Sequence, residues 1–409
     1  MLLIAAPGQG AQAAGFLAPW LELPGFADRI AAWSELAECD LIRYGTTASA
    51  EQIRDTAIAQ PLLVAAGIAA ADELFGGLGQ AGRQAGAVAG HSVGELAAGA
   101  IACVISPEDA MRLVRVRGQA MGRAAAAEPT GMTAVLGGDE TAVLAAIEKH
   151  GLTPANVNGA GQIVAAGTTA ELAAFAADPP ARARLIPLQV AGAFHTRHMA
   201  PAAAALRAAS AGITVSDPCL ALLSNADGAV VRDGADWMER IITQVSAPVR
   251  WDKCMQSMAG LGVSALVELP PAGTLAGLAR RGLPGVQVAA LKTPDDLATA
   301  RALIAEHGQA DEDSHAPGWR LLVAPLAGTF RAPAPSGPAS GTAASGTASG
   351  TVASGTVASG AELGHVEMRG DSHLVTPGFP ATIIEWLVED GDPVSAGQPL
   401  VRLQPEGSE

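Results

Sequence analysis

The chain is short of lysine, aromatic residues and positive charge. Of its 25 basic residues only Lys149, Lys253 and Lys292 are lysines, it has one tyrosine, and 40 acidic residues outnumber the basic ones. A net charge of −15 excludes nucleic acid as the main partner, because phosphate binding needs a basic surface. The four cysteines, Cys39, Cys103, Cys219 and Cys254, form no C-x-x-C pair. No disulfide framework or metal site is expected; they read as small buried hydrophobes in a reducing compartment. No stretch has the length of an uninterrupted apolar membrane span. The opening Met1-Leu2-Leu3-Ile4-Ala5-Ala6-Pro7-Gly8 lacks the basic segment of a secretion signal and reads as a buried strand entering a turn. The expectation is a cytoplasmic protein with neither a membrane nor nucleic acid as partner. Scarce lysine with abundant Ala, Gly and Arg points to a GC-rich bacterial genome.

What is present is apolar mass: 49% of 409 residues are hydrophobic, enough for two or three domains with a large core. The apolar run Ala85 to Ala89 ends in Gly90-His91-Ser92-Val93-Gly94, and an alanine-rich helical pattern follows. This is G-x-S-x-G in a strand-turn-helix setting, which exposes a serine at a sharp turn. Upstream, Leu2 to Ala6 runs into Pro7-Gly8-Gln9-Gly10-Ala11-Gln12, a glycine loop that is neither G-x-G-x-x-G nor a P-loop. Ser106-Pro107-Glu108-Asp109 is a strong helix start, and that helix carries Arg112, Arg115 and Arg117 among Met111, Leu113 and Val114.

From Gly131 the order of elements is β-α-β-β-α-β through Val190, the ferredoxin-like pattern. It divides a larger α/β unit into residues 1–130 and 191–307, with the small subdomain at 131–190. A linker spans 308–318. Residues 319–404 contain an internal repeat: Leu322-Val323-Ala324-Pro325 through Phe330 matches Leu374-Val375-Thr376-Pro377 through Ile383, and Gly360 to Val366 matches Gly397 to Leu403. One small β unit of two similar halves is expected there. An Ala-Ser-Gly-Thr run, 332–359, forms a flexible loop inside its first half.

A serine at such a turn needs a base, oxyanion donors and an acyl pocket. Among the histidines, His195 and His198 remain after His91, His150 and those from His307 onward are set aside by position. His195 follows Gly192 at a strand end. No late acidic residue stands out as its orienter, unlike the usual hydrolase order.

Five motifs in register, Pro7-Gly8-Gln9-Gly10-Ala11-Gln12, Gly90-His91-Ser92-Val93-Gly94-Glu95, Arg115-Val116-Arg117-Gly118, Gly192-Ala193-Phe194-His195 and Gln244 to Trp251, resemble the malonyl-CoA:acyl carrier protein acyltransferase family across residues 1–305. The resemblance implies an α/β-hydrolase-like large subdomain with the ferredoxin-like one inserted. It implies Ser92 as nucleophile, His195 as base and then acid, and the backbone carbonyl of Arg250 as orienter of the histidine. It assigns the N–H groups of Gln9 and Val93 to the oxyanion, and Arg117 to the free carboxylate of a malonyl group through a bidentate fork. Asn158 and Gln162 approach the substrate. In the family, Val after the serine and Phe before the histidine go with malonyl, so Val93 and Phe194 imply malonyl rather than methylmalonyl. Gly192 stands where related sequences often carry His, a change expected to loosen the pocket.

The implied reaction is ping-pong transfer from malonyl-CoA to the phosphopantetheine thiol of acyl carrier protein, supplying fatty acid synthesis. The alternatives are a malonyl loader for a polyketide or malonate-decarboxylase carrier, and a serine hydrolase or thioesterase. A monomer without cofactors is expected. The C-terminal unit resembles an all-β biotinyl/lipoyl-carrier barrel. Arg369, in Val366-Glu367-Met368-Arg369-Gly370-Asp371, stands where carriers present their modified lysine, so no biotin or lipoate is implied. Arg280 and Arg281, or Arg182 and Arg184, are candidate contacts for an acidic carrier protein.

Overall fold

The computed structural model describes residues 1–308, 320–332, 356–368, 371–377, 380–395 and 398–405. The chain divides into two compact units, Met1–Ala310 and Asp311–Glu409.

The first unit contains strands β1 (Leu2–Ala6), β2 (Ala87–Gly90), β3 (Thr130–Gly137), β4 (Thr153–Gly159), β5 (Gln162–Thr168), β6 (Ala183–Pro187), β7 (Ala221–Leu223), β8 (Val230–Val231), β9 (Val249–Arg250), β10 (Ala265–Glu268) and β11 (Gln287–Ala290). Six of these form a sheet in the order β11-β10-β1-β2-β7-β8, parallel except for the β7–β8 pair. All five residues of β1 are buried, as a strand covered on both faces requires. Its alternation divides the core: Leu2, Ile4 and Ala6 face one hydrophobic cluster, and Leu3 and Ala5 face another. The first cluster takes in the helices Thr56–Phe75, Gly94–Ile101 and Pro107–Ala127, the second the helices Trp251–Gly260 and Thr274–Gly282.

Although no membrane-spanning stretch was expected, the helix Thr56–Phe75 is long and apolar enough to cross a membrane by length and composition alone. It is apolar all round because it is packed on nearly every side, with 83% of its apolar stretch buried.

The β-α-β-β-α-β segment forms a second sheet in the order β6-β3-β5-β4-β9. Its four own strands pair antiparallel. The fifth, β9, arrives from the large part of the chain and lies parallel to β4, with Val249 beside Asn156. Helices Glu140–Lys149 and Thr169–Ala177 close a small core around Ile147 and Phe175. The second starts with a capping box between Thr168 and Glu171.

The second unit contains β12 (Arg320–Val323), β13 (Gly328–Arg331), β14 (Thr356–Val357), β15 (Gly364–Met368), β16 (Asp371–Val375), β17 (Ala381–Trp386), β18 (Pro393–Val394) and β19 (Pro399–Pro405). They make two four-stranded antiparallel sheets, β12-β19-β17-β14 and β16-β15-β13-β18. Phe330, Val366, Ile383, Leu400 and Leu403 are in its buried core. The sequence repeat is visible in this topology: exchanging β12 with β16, β19 with β15, β17 with β13 and β14 with β18 converts one strand order into the other. Thr356–Val357, assigned from composition to the flexible loop, is a strand paired with β17. Arg369 lies outside the described residues, as do most of the 308–318 linker and most of the Ala-Ser-Gly-Thr run.

Candidate active site

Three adjacent parallel strands, β1, β2 and β7, end at one edge of the large sheet. Ligand sites in such sheets lie beyond the carboxyl ends of the strands. Gln9 follows β1, Ser92 follows β2 and Asn225 follows β7, so topology alone gathers the three.

The turn after β2 leaves no room for side chains at its glycines. A Cβ on Gly90 would sit 2.0 Å from the Gly94 carbonyl carbon, and one on Gly94 would sit 2.2 Å from the Ala6 oxygen. Between them Ser92 is held at φ 55°, a left-handed conformation that a non-glycine residue keeps only under constraint. Asn225 supplies it. Its Oδ1 accepts from Ser92 N–H at 2.7 Å and its Nδ2 donates to the Gly90 carbonyl at 2.7 Å. The Asn225 N–H in turn donates to the Glu95 carboxyl at 2.8 Å.

His195 Nε2 lies 2.8 Å from Ser92 Oγ. Its Nδ1 donates to the Gln244 carbonyl at 3.0 Å, which leaves Nε2 with a lone pair for the serine proton. This corrects the expectation for Arg250. Gln244 is the last residue of the helix Gly234–Gln244, where carbonyls have no intrahelical donor. Arg250 instead donates its N–H to the Asn225 carbonyl at 2.8 Å and pairs its guanidinium with Asp252 at 2.7 Å. Burial, and then the charge of Arg117, push His195 from its ordinary 6.5 down to about 3, so the imidazole is neutral at physiological pH.

Arg117 is 2% exposed. Its guanidinium donates to Gln60 Oε1 at 2.7 Å and to Ser92 Oγ at 3.2 Å. Among the described residues no carboxylate pairs with it. Burial lowers it to about 10, against the pull of Glu95, so it remains charged. Glu95 gives little compensation, because burial pushes its carboxyl up to about 8. A buried, charged fork beside the serine, with no carboxylate paired to it among the described residues, can accept a ligand anion.

A cavity of about 380 Å³ opens over the serine. Ser92, His195, Gln9, Phe194, Asn158 and Gln162 all line it, together with Gln60 and His91. Asn158 Oδ1 accepts from His91 Nε2 at 2.9 Å, joining β4 of the small sheet to the turn. Burial lowers His91, so this imidazole is held neutral as well. Val93 is fully buried and caps the helix Gly94–Ile101. Among the described residues neither the Gln9 nor the Val93 N–H is taken by a protein acceptor. Gly192 does not loosen the pocket: it lies outside the cavity lining, and a Cβ there would meet that of Ala125 at 2.6 Å. Among the described residues no three His, Cys, Asp or Glu side chains are grouped to hold a metal.

Gln60, Asn225 and Gln244 were not singled out as site residues in the sequence. Gln244 opens one of the motifs quoted above, so a signal existed for it. Gln60 and Asn225 act across 57 and 133 residues of chain, and no local pattern marks them.

The acyl transferase domain family matches residues 5–301. The malonyl CoA-acyl carrier protein transacylase of Mycobacterium tuberculosis is 55% identical over 297 residues, which span 73% of this chain and 98% of that protein. The crystal structure of the MCAT from Mycobacterium tuberculosis superposes with a TM-score of 0.70 at 53% identity, over 73% of this chain and 99% of that one. A malonyl-transacylase solved in complex with a type II PKS acyl-carrier protein superposes with a TM-score of 0.68 at 29% identity, over 74% of this chain and 99% of that one. Matched by the family model over most of its length and by relatives at this identity and coverage, the chain belongs to the malonyl CoA-acyl carrier protein transacylases of the acyl transferase family.

Proposed function

We propose that the protein moves a malonyl group from malonyl-CoA to the phosphopantetheine thiol of acyl carrier protein through a malonyl-Ser92 ester, supplying fatty acid synthesis in the cytoplasm. The observation that carries this reading is Arg117: a buried cation 3.2 Å from Ser92 Oγ, without an ion-pair partner among the described residues. Neutral His195 takes the serine proton as Oγ attacks the thioester carbonyl, and returns it to the departing CoA sulfur. The Gln9 and Val93 N–H groups receive the oxyanion; one such donor contributes about 3 kcal/mol. Arg117 grips the malonyl carboxylate and holds the acyl group until the carrier thiol arrives. Phe194 fills the space an α-methyl would need. Asn158 steadies His91 beneath the substrate, and Gln162 bounds the cavity from β5.

The carrier approaches as an acidic partner. Arg280 and Arg281 are exposed on the helix Thr274–Gly282, whose Leu275 and Leu278 line the cavity, which favours them over Arg182 and Arg184 as its contacts. The C-terminal unit reads as a biotinyl/lipoyl-like barrel on the strength of its exchangeable sheets. With Arg369 in place of a modifiable lysine it carries neither biotin nor lipoate, and streptavidin blotting of the purified chain is expected to stay blank. The enzyme acts as a monomer, without metal or cofactor.

Intact-mass measurement after mixing with malonyl-CoA tests the assignment. A malonyl adduct is expected on the native chain and none on Ser92→Ala; an adduct persisting in that variant overturns it. Offering purified fatty-acid and polyketide carrier proteins to the malonylated enzyme then identifies the acceptor. Release of free malonate faster than transfer to any carrier marks a thioesterase instead.

A further inference from the structure

The cysteines read from sequence as buried hydrophobes fall into two groups. Cys254 is buried and Cys39 half-buried, but Cys103 and Cys219 are both exposed. Though 116 residues apart in sequence, the latter two place their sulfurs 2.9 Å from each other. That is shorter than an ordinary contact between unbonded thiols and within about 1 Å of a disulfide bond. The approach is set by backbone. Ser216 N–H donates to the Val104 carbonyl and Cys219 N–H to the Ala102 carbonyl, both at 2.9 Å, so the two segments run side by side on either side of the sulfurs.

We propose that Cys103 and Cys219 are a modification site, oxidised by a small disulfide to an intramolecular disulfide in the folded protein. Both thiols are exposed, and the exchange can open on Cys103. Its thiolate attacks one sulfur of glutathione disulfide, forms a mixed disulfide and releases one glutathione thiolate. Cys219 then gives its proton to solvent and attacks the Cys103 sulfur, releasing the second glutathione. Two cysteine thiols are oxidised and one glutathione disulfide is reduced to two thiols.

The bond closes a long loop, which constrains the unfolded chain. It also joins elements that hold the serine turn. Cys103 follows the helix Gly94–Ile101, which starts at that turn, and Cys219 precedes β7, which leads to Asn225. The oxidised form is therefore a braced form of the enzyme.

The full chain is incubated with glutathione disulfide, alkylated and mapped without reduction. The expected product is lighter by two hydrogen atoms, takes up two fewer alkyl groups, yields a linked Cys103–Cys219 peptide and unfolds at higher denaturant concentration. Dithiothreitol reverses all four changes. Cys103→Ser and Cys219→Ser, each conservative at an exposed position, are expected to give no linked peptide and no rise in the denaturation midpoint. A native chain that keeps four alkylatable thiols, or that stops at a glutathione adduct, overturns the site. A linked peptide without a higher midpoint overturns the brace.

Discussion

Asn225 holds the N–H of Ser92 at 2.7 Å, which removes that donor from the oxyanion and assigns it to posture. The same side chain ties down Gly90, so one amide fixes the serine on both sides of its left-handed turn. At about 0.5–1.5 kcal/mol net each, these two hydrogen bonds contribute about 1–3 kcal/mol. Asn225→Ala is expected to fold and to slow formation of the malonyl-enzyme about 10- to 100-fold, with KM for malonyl-CoA little changed. Rapid-quench mass spectrometry of the acyl-enzyme reads this, and an undiminished burst rate would remove Asn225 from the positioning role.

Arg117→Ala is expected to discriminate between acyl groups. Loss of a charge-assisted pair to the malonyl carboxylate costs about 3 kcal/mol, on the order of a hundredfold in kcat/KM. Acetyl-CoA offers no carboxylate and should lose much less. Parallel transfer assays with both donors give the comparison; equal losses contradict the carboxylate role. Arg117→Lys should recover only part of the malonyl rate, because an ammonium cannot form the fork.

The pH dependence follows from His195. Its folded value is pushed below the ordinary 6.5 to about 3, so the base stays neutral as pH falls through 6.5. The acidic limb of kcat/KM for malonyl-CoA should therefore lie well below 6.5, and a limb at 6.5 would show that the imidazole titrates freely. The same shift affects stability. A depressed histidine contributes fully above 6.5 and loses its contribution as pH falls toward about 3, because only the unfolded chain takes up the proton.

Glu95 runs in the other direction. Burial raises its carboxyl from 4.5 to about 8, so its contribution is complete below 4.5 and is lost as pH rises through about 8. Glu95→Gln keeps an acceptor for Asn225 N–H and removes the titration. Denaturant melts at about pH 6 and about pH 9 should show the native chain losing stability relative to this variant at the higher pH. Parallel curves would show that Glu95 is already ionised in the fold.

Phe194 is 6% exposed and bounds the acyl cavity. Phe194→Ser should raise methylmalonyl transfer relative to malonyl transfer. Competition between the two donors, read by mass on Ser92, measures the ratio; an unchanged ratio would move selectivity elsewhere.

Much of this was legible because it is local. The serine turn is five consecutive residues between an apolar run and an alanine-rich helix, and the β-α-β-β-α-β pattern is one continuous segment. Arg117 is one of three closely spaced arginines on its helix, and only the resemblance carried by Arg115-Val116-Arg117-Gly118 picked it out. The anchors of those residues were not legible. The His195 anchor is a carbonyl, which every residue possesses, so no side-chain identity singles out Gln244 over Arg250. Gln60 is a polar residue in an apolar helix, meaningful only once the helix Pro107–Ala127 lies against it. β9 is two residues long, too short for any periodicity, and Cys103 and Cys219 meet only through tertiary structure.

One short stretch of chain serves two masters. Residues 245–248 connect Gln244, whose carbonyl holds the His195 imidazole, to β9, which is laced into the small sheet next to β4. The same β4 reaches the serine turn through Asn158 and His91. A hinge motion that swung the small sheet outward to admit a bulky thioester would tug on both tethers at once. The serine turn and the His195 imidazole are thus both tied to the small sheet, one through β4 and the other through β9.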